Sequence, residues 1–166
     1  MIIWFTGLSG SGKTTFAKLV LKKIKKKISN FYHLDGDHFR SLMNNDLGFS
    51  LKDRDINALR IINFVKSLDQ QKINVFVSAN LTSKKFRLKN KKMFKNYMEI
   101  LLSVKKEILF KRDYKKVYRN KRNVVGKDIK FYTGTADIII ENNSSAKDLK
   151  KKALSIAKKL KKFKFH

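Results

Sequence analysis

The sequence predicts an α/β domain with a five-stranded, mostly parallel sheet and helices on both faces. Three observations point there. Short apolar runs alternate with amphipathic stretches along the chain, the pattern of successive β–α units. A glycine-rich run, GLSGSGKT from Gly7 to Thr14, follows directly on the first apolar run. Residues with chemical capacity collect just after the apolar runs, where open parallel sheets bind ligands.

Taken in order, Ile2–Thr6 is the first strand. A helix follows over Thr14–Ile28, with Phe16, Ala17, Val20, Leu21, Ile24 and Ile28 near helical spacing. Phe31–Leu34 is the second strand. Asp53–Leu68 is a helix whose apolar stripe runs through Ile56, Leu59, Ile62, Phe64 and Val65. Ile73–Ala79 and Tyr97–Val104 are the third and fourth strands, and Ala136–Glu141 is the fifth. Ala146–Leu160 closes the chain as a helix. There is no internal repeat and no Gly/Ser-rich linker, so residues 1–166 read as one domain of common size.

Composition narrows the function classes. The absence of cysteine excludes a disulfide framework, a thiolate metal site and a cysteine nucleophile. No apolar run approaches the roughly 18–20 residues that span a bilayer. The opening MIIWFTG has neither a basic region nor a cleavage site, so it does not read as a signal peptide. A soluble cytoplasmic protein is the expectation. The formal charge of +27 invites a nucleic-acid partner. Most of it is lysine, spread over Lys22–Lys27, Lys84–Lys95, Lys105–Lys121 and Lys147–Lys164. That spread fits solvated helix faces better than one nucleic-acid surface. The field still attracts small polyanions.

Gly7, Gly12, Lys13 and Thr14 satisfy G-x-x-x-x-G-K-[ST] between a strand and a helix, the context of a P-loop. Gly7, Gly10 and Gly12 let the backbone of Ser9, Gly10, Ser11 and Gly12 turn its N–H groups toward phosphate oxygens. The helix start beyond Gly12 adds its positive dipole end. Lys13 is expected at the β- and γ-phosphates of ATP. Thr14 is expected as a Mg²⁺ ligand, with Thr15 beside it. The fold class is therefore that of a P-loop NTPase of nucleoside-monophosphate-kinase type.

Strand two runs into Leu34-Asp35-Gly36-Asp37-His38-Phe39-Arg40. A P-loop kinase acting on a hydroxyl needs a carboxylate near the transferring phosphate. Asp35 is expected to supply it from the tip of a strand neighbouring strand one, with Asp37 and Arg40 facing the same pocket. The alternative for Asp35 is a helix N-cap for the segment holding Phe39 and Leu42, a role compatible with catalysis. His38 reads as a surface or packing residue.

These residues resemble the adenylyl-sulfate kinase family. IIWFTGLSGSGKTTFA is similar to its first strand and P-loop, and LDGDHFR to its LDGDNxR segment, with His38 for the usual Asn. NDLGFSLKDRDINALRI resembles its DLGFS…DR…N…R stretch. Arg112, Asp113, Lys115 and Tyr118 resemble its basic lid, and DIKFYTG (Asp128–Gly134) its IKxFTG segment. The likeness runs from Met1 to about Glu141. It implies transfer of the ATP γ-phosphate to a ribose 3′-hydroxyl, with Asp35 as base and Arg112 among the ATP-binding residues. It implies that Asp37, Arg40, Arg54, Asn57 and Lys130 hold the acceptor nucleotide, whose base stacks between Phe49 and Tyr132. For Phe49 the alternative is a core position after the Gly48 turn, and for the lid lysines a solvated helix. A homodimer is the assembly the resemblance suggests.

The sequence departs from the family pattern on the acceptor side. Ser78-Ala79-Asn80-Leu81-Thr82-Ser83-Lys84 stands where the family has an Ile-Ser-Pro-Tyr/Phe-Arg box. The acidic, Pro-containing segment after the FTG motif is missing, and Thr135 leads almost directly into strand five. The ATP side is intact. The acceptor is then adenylyl sulfate or, as in a branch of the family serving capsule biosynthesis, cytidine diphosphoramidate. Two other classes stay open: a nucleic-acid-binding P-loop protein and a nucleotide-binding module without catalysis.

Overall fold

The computed structural model describes residues 1–28, 30–113, 116–134 and 136–166. Lys115 of the basic lid and Thr135 lie outside them. Five parallel strands form the sheet: β1 (Ile2–Thr6), β2 (Phe31–Asp35), β3 (Asn74–Ser78), β4 (Tyr97–Ser103) and β5 (Ile138–Glu141). Their order is β2-β3-β1-β4-β5. The helices are α1 (Lys13–Ile24), α2 (Gly36–Leu42), α3 (Leu51–Gln70), α4 (Lys84–Met93), α5 (Lys106–Lys111), α6 (Val117–Asn120) and α7 (Ala146–Leu160).

Every residue of β1 is buried, as in a strand covered on both faces. Alternation divides it. Ile3 and Phe5 join Phe16, Val20 and Ile24 of α1 and Ala153 and Ile156 of α7. Ile2 and Trp4 join Ile61, Ile62 and Val65 of α3. The indole N–H of Trp4 donates to Ala79 O at 2.9 Å, so this fully buried ring also pins the end of β3.

The helix expected to reach Ile28 ends at Ile24, and Lys25–Lys27 tighten into a 3₁₀ turn. Such turns commonly close helices. Helix α3 begins earlier than expected because Ser50 caps it. The Ser50 hydroxyl oxygen accepts from the Asp53 amide at 3.1 Å, and the hydroxyl donates to the Asp53 carboxylate at 2.6 Å. No helix is assigned at α4 from the sequence, although its lysines fit a solvated helix face. Its buried face carries Phe86, Arg87 and Asn90, so polar residues occupy positions where a hydrophobic period would have marked a helix. Arg87 is fully buried and ion-paired with fully buried Glu99 of β4.

One placement corrects the sequence expectation. Strand β2 does not neighbour β1; it pairs with β3 in the register Asp35↔Ser78, and β3 fills the slot beside β1. A β–α–β connection fixes direction but leaves room for a later strand to insert. The chain crosses from β3 to β4 on the other side of β1, which puts the carboxyl end of β1 at mid-sheet. Crevices at such reversals hold ligands.

Candidate active site

The loop between β1 and α1 is held open by its backbone. Gly12 lies at φ 89° as the residue before α1, and a Cβ there would sit 2.8 Å from Asn142 Nδ2. A Cβ on Gly7 would come within 2.6 Å of Leu102 O. Neither position accepts a side chain. Helix α1 has no side-chain cap, so its first-turn N–H groups are left for an anion. Asn142 Nδ2 donates to Ser11 O at 3.0 Å and braces the loop from the end of β5. Lys13 Nζ donates to Gly7 O and Leu8 O, each at 2.9 Å.

Asp35 ends β2 and caps α2. Its Oδ1 accepts from the amides of Asp37 at 3.0 Å and His38 at 3.2 Å. Its Oδ2 accepts from the Thr14 hydroxyl at 2.6 Å. Capping and a place beside the phosphate loop therefore coexist in one carboxylate. Burial pushes this carboxyl up. The Thr14 hydroxyl, the two amides and nearby His33 pull harder, and it lies below its ordinary value. Asp35 is thus ionised at neutral pH.

Above the loop stands a cavity of about 680 Å³. Ser9, Gly10, Gly12, Lys13, Thr14, Thr15 and Arg112 line one side of it, and Gly7 and Ser11 belong to the loop without lining the cavity. Arg112 donates to Asn142 O at 2.9 Å and Ser144 O at 3.1 Å, joining α5 to the turn after β5. The Tyr118 hydroxyl donates to Ser9 O at 2.9 Å, so α6 is latched to the phosphate loop. Burial pushes that hydroxyl up to about 12, which keeps it a donor.

Asp35, Asp37, Arg40, Phe49, Arg54 and Asn57 line the other side. Arg40 donates to the carbonyls of Leu47 and Gly48 at 2.9 Å. Arg54 donates to Phe49 O at 2.9 Å and to Asn123 O at 2.8 Å. Phe49 is 44% exposed and no core residue. Arg40, Arg54 and Lys121 lie over its ring at 4.8, 5.4 and 5.4 Å from the centroid, within cation–π range.

Lys130 and Tyr132 are not brought to this cavity. Lys130 is exposed. The Tyr132 carbonyl accepts from Arg87, and its ring faces Lys84 and Arg87. The buried Arg87–Glu99 pair thus holds the 131–134 segment over α4, away from Phe49, and the expected sandwich of a base between Phe49 and Tyr132 is not formed. Sequence reasoning missed Asn142 and assigned no role to Asn80, which lines the cavity. Each follows a strand's carboxyl end, and looking there on β5 and β3 would have found both.

Among the described residues no cluster of three or more His, Asp or Glu side chains could hold a metal by itself. A hydroxyl and a carboxylate in contact, Thr14 and Asp35, are hard oxygen donors of the kind that suit Mg²⁺, whose remaining positions water and phosphate fill.

A family model described as adenylylsulphate kinase matches residues 1–147. A cytidine diphosphoramidate kinase from Campylobacter jejuni is 38% identical, over 96% of this chain and 95% of its own. An adenylyl-sulfate kinase from Buchnera aphidicola is 35% identical, over 94% of this chain and 80% of its own. Among solved structures, the Mycobacterium tuberculosis APS kinase CysC in complex with AMPPNP and APS superimposes with a TM-score of 0.82. It is 28% identical, with 96% of each chain covered.

Proposed function

Because this chain belongs to the adenylylsulphate kinase family, we propose that it transfers the γ-phosphate of ATP to the ribose 3′-hydroxyl of a nucleoside 5′-diphosphate-like acceptor. Family membership makes it an ATP-dependent kinase that phosphorylates a hydroxyl of a nucleotide-type substrate. The observation that carries the chemistry is the 2.6 Å contact between Thr14 and Asp35, which sets a carboxylate beside the phosphate loop.

In the proposed reaction the acceptor oxygen attacks the γ-phosphorus. A new O–P bond forms, the bond to the β-phosphate oxygen breaks, ADP leaves, and the acceptor proton passes to Asp35. An ionised, weakly basic carboxylate suits a loose transition state in which the proton moves late. The loop amides and Lys13 stabilise charge on the transferring group. Thr14, with Asp35 acting through water, would hold Mg²⁺, which when bound neutralises phosphate charge. Arg112 and the Tyr118 latch close the ATP side. Arg40, Arg54, Asn57 and Asp37 hold the acceptor, and its base stacks on Phe49.

Cytidine diphosphoramidate is the acceptor we favour. Support comes from the near full-length similarity to a kinase of that name and from Ser78–Lys84, where no Pro-Tyr-Arg box stands. Adenylyl sulfate is the second reading, supported by 35% identity to an adenylyl-sulfate kinase. A cytoplasmic site, where ATP is supplied, and a homodimer belong to the same proposal. Among the described residues no helix is long and apolar enough to cross a membrane. Transfer from labelled ATP to each compound, with the product position read by NMR, tests the reading. Label on a 3′-oxygen supports it; no transfer to either compound contradicts it.

A further inference from the structure

Asn80 follows the carboxyl end of β3, two residues past Ser78, which pairs in register with Asp35. It lines the same cavity as Asp35, Arg40 and Asn57. Its Oδ1 is buried without a hydrogen-bond partner. Its amide makes none of the contacts that tie the neighbouring groups: Trp4 takes Ala79 O, His33 takes Ser78 Oγ, and Ser83 takes Asp55. Asn57, which lines the same cavity, also buries an Oδ1 without a partner among the described residues. Unsatisfied buried amides are rare in native proteins and call for an explanation outside the fold. Arg40 and Arg54 line the same cavity, and each already donates to two backbone carbonyls.

We infer that Asn80 is a specificity-determining residue, whose amide reads a group of the acceptor carrying an N–H donor beside an oxygen or nitrogen acceptor. The inference deepens the proposed function and rests on it. An amide offers one donor face and one acceptor face, so it matches a group with the complementary pair. A sulfate end offers acceptors only. A phosphoramidate end carries the pair and belongs to the favoured acceptor alone; a nucleobase edge carries it in both candidates, with donor and acceptor placed differently on cytosine and adenine. Because the Asn80 Oδ1 has no partner among the described residues, replacing the side chain breaks no hydrogen bond to that oxygen.

The test compares wild type with Asn80→Ala and Asn80→Gln. Equilibrium binding and steady-state transfer are measured with cytidine diphosphoramidate, cytidine diphosphate and adenylyl sulfate. Asn80→Ala is expected to weaken cytidine diphosphoramidate about tenfold in Kd and KM, the size of one neutral hydrogen bond. ATP KM and Tm stay unchanged, and Asn80→Gln restores part of the loss. An equal loss on cytidine diphosphate places the contact on the base edge. A loss confined to the diphosphoramidate places it on the amino-bearing phosphorus. A change under twofold on every acceptor overturns the inference, as does a parallel loss of ATP binding and Tm. Wild-type transfer with an unaffected Asn80→Ala defeats the inference alone. A wild type that neither binds nor phosphorylates any of the three defeats the kinase reading with it.

Discussion

At Asp35 one carboxylate is asked to do two things: cap α2 through Oδ1 and face the phosphate loop through Oδ2. Asp35→Asn keeps the size, and the carboxamide oxygen still accepts the α2 amides, but its charge and basicity are gone. It is expected to lower kcat by about 10²-fold or more while ATP affinity shifts little. Single-turnover rates and ATP titration separate the two. Lys13→Ala is expected to abolish transfer, since it removes the ammonium proposed to offset charge on the transferring group. The pH dependence follows from the depressed Asp35 carboxyl. A lowered folded value means the contribution to stability and turnover is present above the unfolded value and lost as pH falls through the folded one. The acidic limb of kcat/KM is therefore expected below the ordinary carboxylate range, and a limb near neutrality would refute Asp35 as the base. The Gly-Lys-Thr run and Asp35 were legible in the sequence because their roles depend on local backbone. Asn142 was not, because it bonds Ser11, distant in sequence, and Asn80 was not, because its place in the cavity depends on β3 lying beside β2.

At the scale of elements, the strands were readable because burial on both faces leaves unbroken apolar runs, as in IIWFT and NVFVS. Helix α4 was hidden by the buried Arg87, whose partner Glu99 comes from β4. Arg87→Met leaves Glu99 in the core without its cation and is expected to cost about 3–5 kcal/mol in urea unfolding. A loss under ~1 kcal/mol would show the pair to be dispensable. The same pair decides where Tyr132 goes, which no local pattern could reveal. Helix α6 is held by Asp113, which accepts from the amides of Val117 and Tyr118, and by the Tyr118–Ser9 contact. Tyr118→Phe removes one hydroxyl at the phosphate loop. It is expected to raise ATP KM severalfold, about 1 kcal/mol, with acceptor KM unchanged.

For the whole molecule, the +27 charge sets a positive field in which two polyanionic substrates must meet. Both KM values are expected to rise with ionic strength, while added RNA competes weakly and does not activate turnover. Activation by RNA would return the charge to a nucleic-acid function. The order β2-β3-β1-β4-β5 brings the phosphate loop, Asp35 and Asn80 together at the carboxyl ends of neighbouring strands. That order could not be read from the chain, because alternating β and α segments fix strand direction without fixing neighbours.

The most direct measurement is a competition for limiting labelled ATP between cytidine diphosphoramidate and adenylyl sulfate, with the phosphorylated position identified by NMR. Label on the 3′-oxygen, mainly of the cytidine compound, is the expected result. Label on neither nucleotide, or on a position other than the 3′-oxygen, would contradict the assignment of this site.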